Sequence, residues 1–215
     1  MCNYSVNSIT FSSRNLDLLK QLHQKVLACY NSKNENLVRN LLIEHGYSTI
    51  KARNVANNRD HFSSCDLSIE AKKPVFFFSC ETTSAWNHNL ECIMGLLHSH
   101  YHNEINLSFC SEEPGMDIYV TKDETGAFYT DKFKVDYCVN DEYATEYFST
   151  FYDVYYYLKE SFPKAVFSYY DTLADIKQSI DEAYDTTEEE YFLNINKFKE
   201  YDEDNYDIVS SAEVA

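Results

Sequence analysis

Val75-Phe76-Phe77-Phe78 is the stretch that most limits what this chain can fold into. Four apolar β-formers follow Pro74, too short a run for a buried helix and the right length for a strand covered on both faces. Behind it, Leu90, Ile93, Met94, Leu97 and Tyr101 recur at spacings of three and four, which predicts a helix with one apolar face, started by Asn87 or Asn89. Ile105 to Phe109 alternates like a half-buried strand, Glu113-Pro114-Gly115 marks a turn, and Ile118-Tyr119-Val120 is a further strand. After a turn at Asp123 to Gly126, Ala127 to Phe133 reads as a strand that Lys134 to Val139 continues. Strand, helix and antiparallel meander together predict an α+β fold with helices on one face of a sheet.

The flanking segments extend this pattern. Asn3 to Phe11 predicts a first strand and Ser12-Ser13 a helix start. Leu16, Leu19, Leu22 and Val26 then form an apolar stripe, and Leu37 to Leu42 forms a second short helix closed by His45-Gly46. Ile50 to Ser64 is weakly patterned, a loop or a helix over the sheet edge, and Leu67 and Ile69 mark a short strand. Beyond Asn140 the composition shifts. Tyr147, Phe148, Phe151, Tyr152, Tyr155, Tyr156 and Leu158 fit one helix over 143–162 ended by Pro163. Leu173, Ile176, Ile180 and Tyr184 make another, and Tyr191 to Phe198 a last strand. Three segments result: an α+β domain over 1–140, an acidic, tyrosine-rich and mainly helical extension over 141–200, and a poorly ordered acidic tail over 201–215.

Several classes are disfavoured. With 4 glycines and 3 prolines in 215 residues, a glycine-rich phosphate loop has little support. No apolar run approaches the ~20 residues that span a bilayer, and Met1 to Val6 lacks the pattern of a signal peptide. Seven scattered cysteines without a C-x-x-C pair point to reduced, mostly buried thiols. A cytosolic protein without a cofactor is the expectation.

Three segments carry a resemblance: Met1 to Phe11, Phe77 to Trp86 and Glu112 to Met116. The first resembles the "PNWCSN-x-hydrophobic" opening of the YubB-type ferredoxin-like proteins of plasmids, phages and other mobile elements. The second is similar to that family's strand ending in "E-T-x-W/AW", and the third to its "Y-x-E-x-G" turn. In this chain Tyr4 replaces the tryptophan, no tyrosine precedes Glu112, and Asn87-His88 replaces a proline pair. Over residues 1–138 the resemblance implies a split β-α-β, ferredoxin-like fold, a bacterial host cell, and no catalytic residues.

Two constellations can be read chemically. His98, His100 and His102, with His88, Cys92 and Cys110 nearby, would line one face if they lay on a strand and could then hold a metal. At the end of a helix they diverge and serve the helix dipole. Glu81, Glu112 and Glu113 sit at strand ends, where two could act as acid and base, but 35 acidic residues bring such neighbours together by chance. Trp86 can stack on a partner or plug a core. A small enzyme or metal protein built on these groups is the alternative reading.

Charge is the more informative signal. Residues 1–73 carry 10 basic and 6 acidic side chains, net +4; residues 74–140 carry 3 and 10, net −7; residues 141–215 carry 5 and 19, net −14. Such a surface repels nucleic acid and steers basic proteins toward itself. Tyrosine is a favoured contact residue at interfaces. The expected partner-binding residues are Tyr152, Asp153, Tyr156, Glu160, Asp175 and Glu182. Reversing Asp153, Glu160, Asp175 and Glu182 should lower the on-rate and barely change thermal stability. The expected function is non-enzymatic: a phage or mobile-element protein that imitates nucleic acid and blocks a basic host defence protein, such as a CRISPR effector or restriction enzyme. Neither direct nucleic-acid binding nor membrane binding is expected.

Overall fold

In the computed structural model, residues 4–32, 36–55, 60–84, 89–139, 142–184 and 191–201 are described. Two units emerge, one of residues 1–129 with 200–215 and one of residues 130–199, so the division falls at 130 and not at the expected 140. Cys2, Trp86, Asn87, His88 and the tail from 202 onward lie outside the described residues.

The larger unit is built around β1 (Ser5–Ser13). Asn15, not Ser12-Ser13, caps α1 (Leu16–Asn31); its side chain accepts from Leu18 N at 3.3 Å. α2 (Leu37–Glu44) ends at Gly46, whose φ of 89° is left-handed and inexpensive only for glycine. The weakly patterned stretch folds as α3 (Thr49–Val55) and β2 (Asp60–Cys65). β3 (Glu70–Lys72), β4 (Val75–Ser84), α4 (Asn89–Tyr101), β5 (Asn106–Glu113) and β6 (Ile118–Lys122) follow, with a 3-10 turn at Pro114–Met116. The strand order is β6-β5-β1-β4-β2, with β3 also on β4, and each of these pairings is antiparallel.

Register decides which residues face inward. Ile9 lies opposite Cys80 and Phe109, and Phe11 opposite Phe78 and Leu107. These buried side chains share one core with Leu19, Leu22 and Val26 of α1 and Ile93, Leu96 and Leu97 of α4. β4 is less enclosed than expected: Phe78 is buried, but Val75, Phe76 and Phe77 are only half-buried. On the outward side Phe77 meets Phe128, with ring centroids 5.1 Å apart. The expected strand from Ala127 does not form. The Asp123 carboxylate accepts from the backbone N–H of Thr125, Phe128 and Tyr129, which winds that segment into a loop.

Residues 130–199 are not mainly helical. β7 (Phe133–Val139) and β8 (Glu142–Phe148) pair antiparallel, then α5 (Phe151–Ser161) and α6 (Leu173–Tyr184) lead to β9 (Tyr191–Lys197), which pairs the other edge of β7. The expected helix over 143–162 is thus a strand followed by a shorter helix. Tyr143, Thr145 and Tyr147 share one strand face while Ala144, Glu146 and Phe148 share the other, and such β-formers suit a sheet. The core joins Phe133, Val135 and Leu193 to Val154, Leu158, Ile176 and Ile180. The chain then re-enters the larger unit as β10 (Lys199–Glu200), beside β6. Tyr201, expected in the loose tail, donates its N–H to Thr121 O at 2.8 Å and packs its ring 5.4 Å from Phe109.

Candidate interaction surface

α5 begins where the side chain of Thr150 accepts from Asp153 N at 3.2 Å, while the Thr150 hydroxyl donates to the Asp153 carboxylate. This N-cap fixes the helix start, and with it which residues face outward. Val154, Tyr155 and Leu158 are buried; Tyr152, Asp153, Tyr156, Lys159 and Glu160 are exposed. The Tyr152 and Tyr156 rings, one turn apart, lie 4.4 Å from each other. The adjacent Tyr156 hydroxyl, by side-chain hydrogen bonding, holds the Tyr152 phenol above its ordinary range.

The loop after α5 adds to this face. Ser168 N donates to the Asp171 carboxylate at 2.6 Å, and Tyr169 sets its ring 5.4 Å from Tyr155 and 6.1 Å from Tyr152. Tyr170 stands 5.9 Å from Tyr169. Tyr152, Tyr156, Tyr169 and Tyr170 remain 53%, 50%, 42% and 93% exposed, so the cluster is an aromatic patch in solvent and not a core. Tyr169 and Tyr170 have no periodic partner in sequence, and only the fold of the loop reveals them. Residues 130–199 carry 7 basic and 15 acidic side chains, net −8.

The expected site residues separate into two roles. Tyr152 and Tyr156 are brought together, and Glu160 follows Tyr156 by one turn on the same exposed face. Asp153 is exposed there too, but it also belongs to the cap of α5. Asp175 caps α6: its carboxylate accepts from the Thr172 hydroxyl at 2.7 Å and the Thr172 N–H at 3.1 Å, which lowers its pKa. Glu182 is exposed on α6 and accepts from Gln178 at 2.8 Å.

The alternative constellations do not converge. Glu81 and Glu112 lie on the outward sheet face, opposite Ser8 and Val6, while Glu113 is buried on the inward face. There the hydroxyls and amide of Ser5, Asn7, Thr82, Ser84 and Ser111 bond one another, with Ser111 donating to Asn7 at 2.7 Å. His98, His100 and His102 are exposed at and just beyond the end of α4, and His98 pairs with Asn103 at 3.2 Å. His45 contacts the Tyr101 hydroxyl at 2.7 Å, and burial lowers its pKa to about 4. Among the described residues no three or more His, Cys, Asp or Glu are grouped to hold a metal. None of the six described cysteines is in a disulfide, and burial raises Cys29 to about 12 and Cys65 and Cys92 to about 11. No described helix is long and apolar enough to cross a membrane.

An open groove of about 1180 Å³ lies where β1 meets α1. Arg14, Lys72 and Lys73 line it beside Asp17 and Glu104, so its walls carry both signs. Lys72 donates to Ala127 O, which draws one of those cations into a structural role.

Compared with known protein families, curated proteins and solved structures, the chain matches none.

Proposed function

We propose that this is a non-enzymatic interaction protein that docks the tyrosine-and-carboxylate face of residues 130–199 on a basic, nucleic-acid-binding protein and competes with nucleic acid for it. The observation that carries this reading is the patch of Tyr152, Tyr156, Tyr169 and Tyr170, exposed together in a unit of net charge −8. A monomer rarely leaves that much aromatic surface in water without a use for it, and tyrosine beside carboxylate suits a cationic partner. The resemblance to YubB-type proteins extends the reading: a mobile-element product, acting inside a bacterial cell, whose partner is a host defence effector such as a CRISPR effector or restriction enzyme. The order β5-β1-β4-β2, with helices between β1 and β2 and between β4 and β5, supports a ferredoxin-like arrangement of the larger unit.

Displacement of labelled duplex DNA from such a basic protein tests the function. The wild type should displace DNA, and the Glu160→Lys, Glu182→Lys double variant should do so much less well. Equal displacement by both would refute docking through this face.

A further inference from the structure

Residues 130–199 contain seven lysines and no arginine. Three of those lysines sit over rings of the same unit: Lys159 over Tyr155 at 5.3 Å, Lys134 over Tyr147 at 5.7 Å and Lys164 over Tyr184 at 5.2 Å. Among the described residues no lysine sits over Tyr152, Tyr156, Tyr169 or Tyr170, which are between 42% and 93% exposed. We propose that this tyrosine cluster is a guanidinium-binding surface, selecting arginine-rich segments of a basic protein over lysine-rich ones. The inference rests on the function proposed above and narrows it to a chemistry.

Three features favour guanidinium. A planar, weakly hydrated guanidinium stacks on a phenol ring, whereas an ammonium holds its water more tightly. Tyr152 is inclined 50° to Tyr156 and 66° to Tyr169, so the patch offers ring faces at several inclinations to successive guanidinium planes. Glu160, exposed one turn after Tyr156, supplies a carboxylate that a guanidinium fork can engage with two N–H groups. Simple charge attraction would not distinguish the two cations; the ring faces and the Glu160 fork do.

The full-length chain is titrated at ~0.15 M salt against two labelled glycine-serine peptides of equal length and charge, one carrying arginine and the other lysine. The arginine peptide should bind on the order of tenfold more tightly, the effect of a desolvated cation–ring contact. Tyr152→Leu with Tyr156→Leu should remove most of the preference, and Glu160→Gln added to it the remainder, while the double phenylalanine variant keeps the preference. Glu160→Gln should weaken both peptides. Far-UV circular dichroism checks that each variant is folded. Equal affinities for the two peptides, or an undiminished preference in the folded leucine variant, would overturn the guanidinium inference and leave the proposed function standing. No binding of either peptide would overturn the proposed function with it.

Discussion

Asp153→Lys separates the two roles of a residue that is both surface charge and helix cap. The substitution leaves Thr150 free to accept from the backbone N–H at position 153 but removes the carboxylate to which its hydroxyl donates. It also puts a cation in the first turn of α5 in place of an anion. Losing a favourable charge at a helix N-terminus costs about 0.3–1 kcal/mol, and an unfavourable one adds a similar amount. The exposed hydroxyl bond contributes near the lower end of about 0.5–1.5 kcal/mol. A total of about 1–2.5 kcal/mol follows, against a change within about 0.5 kcal/mol for Glu160→Lys, where a cation in the last turn suits the dipole. Amide exchange within α5, with urea unfolding as the global check, reads the difference where it arises. Thr150→Ala combined with Asp153→Lys should cost less than the two changes summed, because both act on one cap. Equal losses for Asp153→Lys and Glu160→Lys would refute the capping argument.

Ile93→Ala or Leu97→Ala, each opening the larger unit's core, should lower stability by roughly 2–5 kcal/mol in urea unfolding, and a loss within error would mean that α4 packs in another register. His45 titrates at about 4 in the fold and 6.5 outside it, so stability should fall as pH drops from 6.5 to 4; His45→Gln should flatten that slope. Burial raises the Asp123 pKa, but hydrogen bonds from Tyr129, Thr125 and Phe128 outweigh it and leave it below 3.8. Its contribution should be present above that value and lost as pH falls below it, so Asp123→Asn should shift the urea midpoint more at neutral than at strongly acidic pH. Association with a basic partner should weaken steeply with salt. Glu160→Lys should act on the on-rate and Tyr152→Leu on the off-rate in surface plasmon resonance, and salt-independent binding would refute electrostatic steering.

What was legible in the sequence follows from periodicity. The stripes of α1, α4 and α6 each bury one face of a helix, so spacings of three and four located them, and Ile176, Ile180 and Tyr184 are indeed core. The error over Tyr143 to Phe148 has a physical origin. A run this dense in aromatics satisfies helical spacing and strand alternation alike, and pattern alone cannot choose between them. Thr150-x-x-Asp153 was the signal that resolves it, a helix start inside the assumed helix. Thr-x-x-Asp spacing also marks the capping roles of Asp153 and Asp175, which composition counts merely as negative charge. Tyr169 was unreadable for another reason: a loop residue gains its place from the fold around it, here from the rings of Phe151, Tyr152 and Tyr155.

The exposed tyrosines and the buried ones are also linked energetically. Tyr155 is buried beneath the cluster, with Tyr156 at 5.1 Å and Tyr169 at 5.4 Å, both nearly perpendicular to it. Edge-to-face contacts of this kind contribute about 0.5–1.5 kcal/mol beyond the area they bury, so they restrict the exposed rings before any partner arrives. Ordering a free side chain on binding costs about 0.5–1.5 kcal/mol, and a ring already held by its neighbours avoids part of that cost. The acidic side chains gain no such benefit: Glu160 is long and exposed, so ordering it on a partner costs more, and its attraction weakens as salt rises. In the proposed complex, attraction would fall to the carboxylates and retention to the tyrosines, with the core residue Tyr155 as the platform that holds them.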